Sequence, residues 1–146
     1  MAEAVAGEQR AGEQRTRVGW AWAMRVAATG EVLLLLGQAA TAGRLLEGVA
    51  SARTLHAAGA TPVSVFAAAE LVVALVLWRR ARGPVWPVWA SGILFVATFV
   101  QAMLGGMGDR ALHVPFGVGL VVLASVLAAW SWRRAPHPST VDESVR

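Results

Sequence analysis

Four long apolar runs, broken by only three charged residues (Arg25, Glu31 and Glu70), restrict this chain more than any other feature: 19–42, 61–78, 85–104 and 111–132. Each approaches the roughly 20 residues that a helix needs to cross about 30 Å of hydrocarbon. Backbone exposed to lipid at that depth must satisfy its own hydrogen bonds, so each run reads as a transmembrane helix. With 56% hydrophobic and 15% charged residues, a water-soluble domain with a charged surface is a poor fit. The expected fold is all-α, a four-transmembrane-helix up-down-up-down bundle over 19–134, with disordered cytoplasmic tails at 1–18 and 135–146. A cleavable signal peptide would carry a shorter apolar stretch ending at a small-residue site. The first run is read as a retained helix because it pairs with the third in the repeat described below.

Charge and aromatic placement orient the bundle. All thirteen cationic side chains are Arg, and ten of them (10, 15, 17, 25, 79, 80, 82, 133, 134 and 146) fall on one side of the proposed helices. The positive-inside rule places both termini and the middle loop in the cytoplasm, leaving Arg44, Arg53 and Arg110 outside. The seven Trp residues lie near the same helix ends, where an amphipathic ring suits the headgroup zone. The pI near 11.5 follows from these arginines. It points to the lipid bilayer of the cell membrane as partner and excludes nucleic acid as its explanation. With no Cys there is no disulfide, thiolate ligand or Cys nucleophile. Phosphate-binding Gly loops, a Ser triad, HExxH and paired glycosidase acids are also missing from the sequence.

Two stretches repeat one polar pattern. Residues 38–56 read QAATAGRLLEGVASARTLH and residues 101–113 read QAMLGGMGDRALH. The second and fourth runs both end in Trp-Arg-Arg-Ala, so aligning the halves pairs Gln38 with Gln101, His56 with His113 and Trp78 with Trp132. The implied architecture is two repeated helical hairpins related by an axis along the membrane normal. Thr61-Pro62 reads as an N-cap followed by Pro at the first helical position, which would start helix two at 62 and leave His56 in the outer loop. Pro115 likewise suggests that helix four begins near His113.

Polar groups inside hydrocarbon are costly and are candidates for function. Neutral imidazoles from helices two and four are suited to grip a haem iron from both faces. Gly117 and Ala60, each four residues after its His, would lie on the same helix faces. Gln38 and Gln101 are expected to hydrogen-bond across helices or to fix the imidazole tautomer. Ala39, Ala42, Gly43, Gly105, Gly106, Gly117 and Gly119 fit close helix contact. Glu31 and Glu70 fall in the inner half of the membrane at comparable depth, each expected to be protonated, paired or facing the bundle interior. Glu31 with Arg25 is the structural alternative to a proton relay, a cation site or substrate recognition.

The segment Gln101-Ala-Met-Leu-Gly-Gly106 followed by Leu112-His113 resembles part of the haem A synthase family of cytochrome oxidase assembly proteins. Each half of that family is a four-helix bundle with a His on its second and fourth helices, and its third helix commonly carries a Gln-x-x-Leu-Gly-Gly-like stretch. The resemblance spans roughly residues 30–132 and puts His56 in the other ligand position. Family members have two such halves, whereas this chain has one. The Glu and Arg usually flanking the first histidine are absent, His56 being followed by Ala57 with Glu47 the nearest upstream acid, and the extracellular cysteine pair is missing. The resemblance therefore implies a haem-b-type half-bundle serving electron transfer, haem handling or oxidase assembly, without oxygenation of a haem methyl group. The other readings are a cofactor-free structural subunit of a membrane complex and a small proton-coupled carrier or homo-oligomer centred on Glu70.

Overall fold

The computed structural model describes residues 1–133 as four helices: α1 (Ala2–Leu46), α2 (Ala52–Ala81), α3 (Trp86–Met107) and α4 (Arg110–Arg133). Each is long and apolar enough to cross a membrane. Arg134 and the expected tail at 135–146 lie outside the described residues.

Three boundaries differ from the expectation. Helix α1 runs back to Ala2, through the segment 1–18 expected as a disordered tail. Ala, Glu, Gln and Arg dominate its two AGEQR copies, all are strong helix formers, and Glu13 and Arg17 are spaced for an i,i+4 pair. Continuity with the apolar run removes the nucleation cost, so Gly7 and Gly12 do not break the helix. Helix α2 starts at Ala52, ten residues before the start proposed at Pro62, and Pro62 lies inside it. His56 is therefore helical, not in the loop. Helix α4 starts at Arg110, with Asp109 Oδ1 accepting the Leu112 N–H at 3.1 Å, and Pro115 lies inside. Each internal proline removes one backbone hydrogen bond, a loss that neighbouring helices make tolerable in membrane proteins.

The ends follow ordinary stop signals. Gly48 (φ 84°) ends the turn after α1, Arg82 (φ 50°) closes α2 ahead of Gly83-Pro84, and Gly108 (φ 76°) caps α3. The short connections hold consecutive helices together: α1 packs on α2, α2 on α3, α3 on α4, and α4 on α1. Among the described residues the diagonal pairs do not pack backbone to backbone.

The core reverses the usual size order of a water-soluble protein. Ala27, Ala28, Ala67 and Ala124 are buried, together with Met24, Leu94 and Leu127. Large apolar side chains such as Leu33, Val72, Ile93, Val96, Phe99 and Val122 are exposed. Small residues inside let helices approach, and bulky ones outside match the lipid tails. At Gly30 this closeness is required, because a Cβ there would run into the Phe66 ring of α2. Of the small residues expected to mediate close contact, Gly43, Gly106 and Gly119 have nothing within 4 Å of a Cβ built on them, so those three do not pack against another helix.

Gly30→Ala is expected to force α1 and α2 apart and lower the thermal unfolding temperature in detergent. Gly37→Ala, where a Cβ meets open space, is the control. It should leave stability unchanged or raise it by up to about 1 kcal/mol, the propensity gain of Ala over Gly.

Candidate functional site

Each of the two glutamines bonds to one of the two histidines on the next helix, Gln38 to His56 and Gln101 to His113. Gln38 Nε2 donates to the His56 carbonyl at 3.0 Å, and His56 Nδ1 donates to the Gln38 carbonyl at 3.1 Å. On the other side Gln101 Nε2 donates to the His113 carbonyl at 3.0 Å, and His113 Nδ1 donates to the Gln101 carbonyl at 3.0 Å. Each Gln–His pair thus locks one helix to the next through two reciprocal side-chain-to-backbone bonds.

These bonds determine the imidazole tautomer. A carbonyl oxygen only accepts, so His113 Nδ1 carries the hydrogen and its Nε2 the lone pair; His56 Nδ1 faces both the Gln38 carbonyl at 3.1 Å and the Thr41 hydroxyl at 2.9 Å, and the Gln38 contact is a hydrogen bond in the same tautomer. The two rings face each other across the bundle diagonal, with centroids 5.9 Å apart and planes at 69°. Both are half-buried. Gln101 Nε2 also stands 3.4 Å from His113 Nε2, a long contact consistent with an accepting nitrogen there. Gln101 Oε1 is buried without a hydrogen-bond partner.

Glycines clear the space these side chains use. A Cβ at Gly59 would lie 2.6 Å from Gln38 Nε2, one at Gly117 would lie 2.7 Å from Gln101 Nε2, and one at Gly105 would lie 2.9 Å from the His113 ring. Gly117 thus makes room for Gln101, and in α2 it is Gly59, rather than Ala60, that does the same for Gln38. Thr41, which sequence reasoning passed over, donates to the Gln38 carbonyl at 2.9 Å and places Oγ1 2.9 Å from His56 Nδ1. Its spacing of three from Gln38 was the available signal. The aligned position in the second half is Leu104, so the two sites differ there.

Glu31 and Glu70 form a separate polar region. Both are fully buried. Ser91 Oγ, another group the sequence did not single out, donates to Glu70 Oε1 at 3.0 Å. Glu70 Oε2 and both carboxyl oxygens of Glu31 have no hydrogen-bond partner. No hydrogen bond joins Glu31 to Arg25, whose Nε donates instead to the Ser131 carbonyl at 3.3 Å while its guanidinium lies over the Trp22 and Trp132 rings. The two acids are not at one depth. The contacts Gln38–His56 and Gly30–Phe66 set the register of α1 against α2 and put Glu31 level with about residue 65, an axial offset from Glu70 of about 7 Å.

The sequence matches no protein-family model, and comparison with curated proteins and with solved structures gives no match either.

Gly117→Ala is expected to push the Gln101 amide off the His113 carbonyl, a loss of about 0.6 kcal/mol for one interhelical hydrogen bond. Ring ¹⁵N shifts should show His113 leaving its single tautomer while His56 is unchanged. Gly119→Ala, in open space, should alter neither ring.

Proposed function

We propose that this chain is a multi-pass membrane bundle that holds one haem b between His56 and His113. The observation that carries the reading is the pair of Nδ1–carbonyl hydrogen bonds, which leave Nε2 of two opposed rings as the basic nitrogens. Metal-bound histidines commonly have this second-shell bond, which fixes ring orientation and raises ligand basicity.

The residues present fit the group. Two metal–nitrogen bonds of about 2 Å plus two ring radii separate the centroids of a bis-imidazole centre by roughly 6 Å, and the observed separation is 5.9 Å. Gly59, Gly105 and Gly117 leave room for Gln38, the His113 ring and Gln101 to take these positions. His56 and His113 would hold the iron. Gln38 and Gln101 would hold the imidazoles, and Gly117 would leave Gln101 its place. Bound in this way, haem b supplies a one-electron carrier. The chain's own contribution is to bind, to orient both rings before the group arrives and to keep the protons on Nδ1. Electron transfer, haem handling or oxidase assembly are the roles such a centre serves.

The same contacts support two repeated hairpins, since Gln38–His56 and Gln101–His113 make the same bonds. They also support up-down-up-down crossing, with consecutive helices joined by short turns. The arginines and the Trp pairs Trp22–Trp132 and Trp86–Trp130 favour placing the ends that carry them, and both termini, on the cytoplasmic side.

Protein purified in mild detergent from haem-replete cells should show a Soret band and a reduced-minus-oxidised spectrum of a low-spin b-type centre at one haem per chain. His56→Ala and His113→Ala should each abolish or convert that spectrum, whereas Glu31→Gln should not. A wild-type protein without a Soret band would overturn the reading and favour the cofactor-free accessory subunit.

A further inference from the structure

The acidic pair at the other end of the core has no part in the haem reading, and three observations bear on it. The first is lack of solvation. Glu31 lies a helical turn from Ala27, Ala28, Leu34 and Leu35 along α1, so its two unpartnered oxygens sit in an apolar core. An unpaired charge there is expensive, so the group is suited to a reversible proton rather than to a standing charge. The second is access. A cavity of about 140 Å³ opens beneath the acids, lined by Met24, Ala74, Leu77, Pro87 and Ser131 and reaching Gly83 and Pro84 of the α2–α3 turn. Ala74 is one turn from Glu70 and Pro87 is one turn from Ser91, so the inner end of the cavity stops about one helical turn, ~6 Å, short of the Glu70–Ser91 hydrogen bond. The third is order: Glu70 is nearer the cavity, and Glu31 lies about 7 Å deeper. That gap is within the combined reach of two glutamate side chains.

We infer that Glu70 and Glu31 form a two-station proton path that enters the bundle from the end carrying the α2–α3 turn. A proton from water in the cavity loads Glu70. The Glu70 carboxyl then passes it to the Glu31 carboxylate, Glu70 takes a second proton from the cavity side, and Glu31 gives its proton back through Glu70, so the path loads and unloads reversibly with no change of oxidation state. Ser91 orients the Glu70 carboxyl by donating to Oε1.

The surrounding charges agree with this path. From α1, Arg25 lies six residues before Glu31, on the cavity side, held by the Ser131 carbonyl and two Trp rings. From α2 the next ionisable groups are Arg79 and Arg80 at the cytoplasmic-type end, and α3 has none between Trp86 and Met107. From α4 the described ionisable groups are Arg110, His113 and Arg133, all towards its ends. A metal cation is the weaker occupant, because carboxyl oxygens of two side chains and one hydroxyl fall short of the six or more oxygens a hard cation takes. Among the described residues no group of three or more His, Cys, Asp or Glu side chains is placed to hold a metal ion.

The test is infrared spectroscopy of the full chain in nanodiscs, following the carbonyl stretch of protonated carboxylic acids after transfer to D₂O. Two bands should appear, one lost in Glu70→Gln and the other in Glu31→Gln, both substitutions being near-isosteric. Their exchange should be ordered: the Glu31 band should exchange at least tenfold more slowly in Glu70→Gln, and the Glu70 band at its normal rate in Glu31→Gln. Ala74→Leu, which fills the cavity, should slow both. Overturning results are Glu31 exchange that ignores Glu70→Gln, the absence of both acid bands across the pH range, or bands displaced by sodium at fixed pH, which would make this a cation site. None of these readouts requires bound haem, so the path and the haem centre stand or fall separately.

Discussion

Lack of water is the constraint on which the rest of this structure depends. In hydrocarbon a polar side chain cannot turn to solvent, so each one placed in a span must find a partner on a neighbouring helix or carry the cost. The Gln–His pairs meet this demand at Nδ1 and at the Gln amide nitrogen, and in doing so they fasten α1 to α2 and α3 to α4 at a defined height. Ser64 Oγ and Thr98 Oγ1, 3.3 Å apart, add a polar contact between α2 and α3. Small core residues complete the arrangement, since partners this short meet only when backbones are close.

Set against that pattern, Glu31 is the exception. Glu70 and Gln101 each leave one buried oxygen unpaired but are bonded through another atom, whereas the Glu31 carboxyl is fully buried with both oxygens unpaired. Structure alone gives no stability reason for it, because an apolar residue of similar volume would remove a desolvation cost. A group that costs stability and returns none in contacts is the kind expected to serve function. The cavity one turn from Glu70 supplies the access that such a function needs.

Much of this was legible in the residues. Run length and hydropathy are local properties, so the four spans could be read directly. The Gln and His positions were legible because their cost in hydrocarbon makes each one conspicuous. Helix starts were less so: Pro62 carries the same local signal whether it opens a helix or is tolerated inside one, and only the packing of α2 on α1 distinguishes the cases. The 1–18 segment misled because polarity suggests a tail while the residue types favour helix, and propensity prevails when a stable helix follows. Gly59 and Ser91 could not be read at all, since their roles depend on the register between helices. For the same reason the acids, seemingly at one depth when counted from Trp residues, are offset once the hydrogen bonds between α1 and α2 set that register.

The two Gln–His pairs are not equivalent, and the difference bears on chemistry. His56 Nδ1 has two oxygens within hydrogen-bonding distance, the Gln38 carbonyl and Thr41 Oγ1, whereas His113 Nδ1 has the Gln101 carbonyl. A stronger acceptor environment at Nδ1 pushes electron density towards Nε2 and makes that nitrogen the better ligand. His113 Nε2 also has an amide nitrogen 3.4 Å away, which a metal would have to displace, and among the described residues His56 Nε2 has no such neighbour. In the proposed haem site the α2 imidazole would therefore be the tighter ligand and the α4 imidazole the more exchangeable one, because the bonds at Nδ1 differ between the two rings.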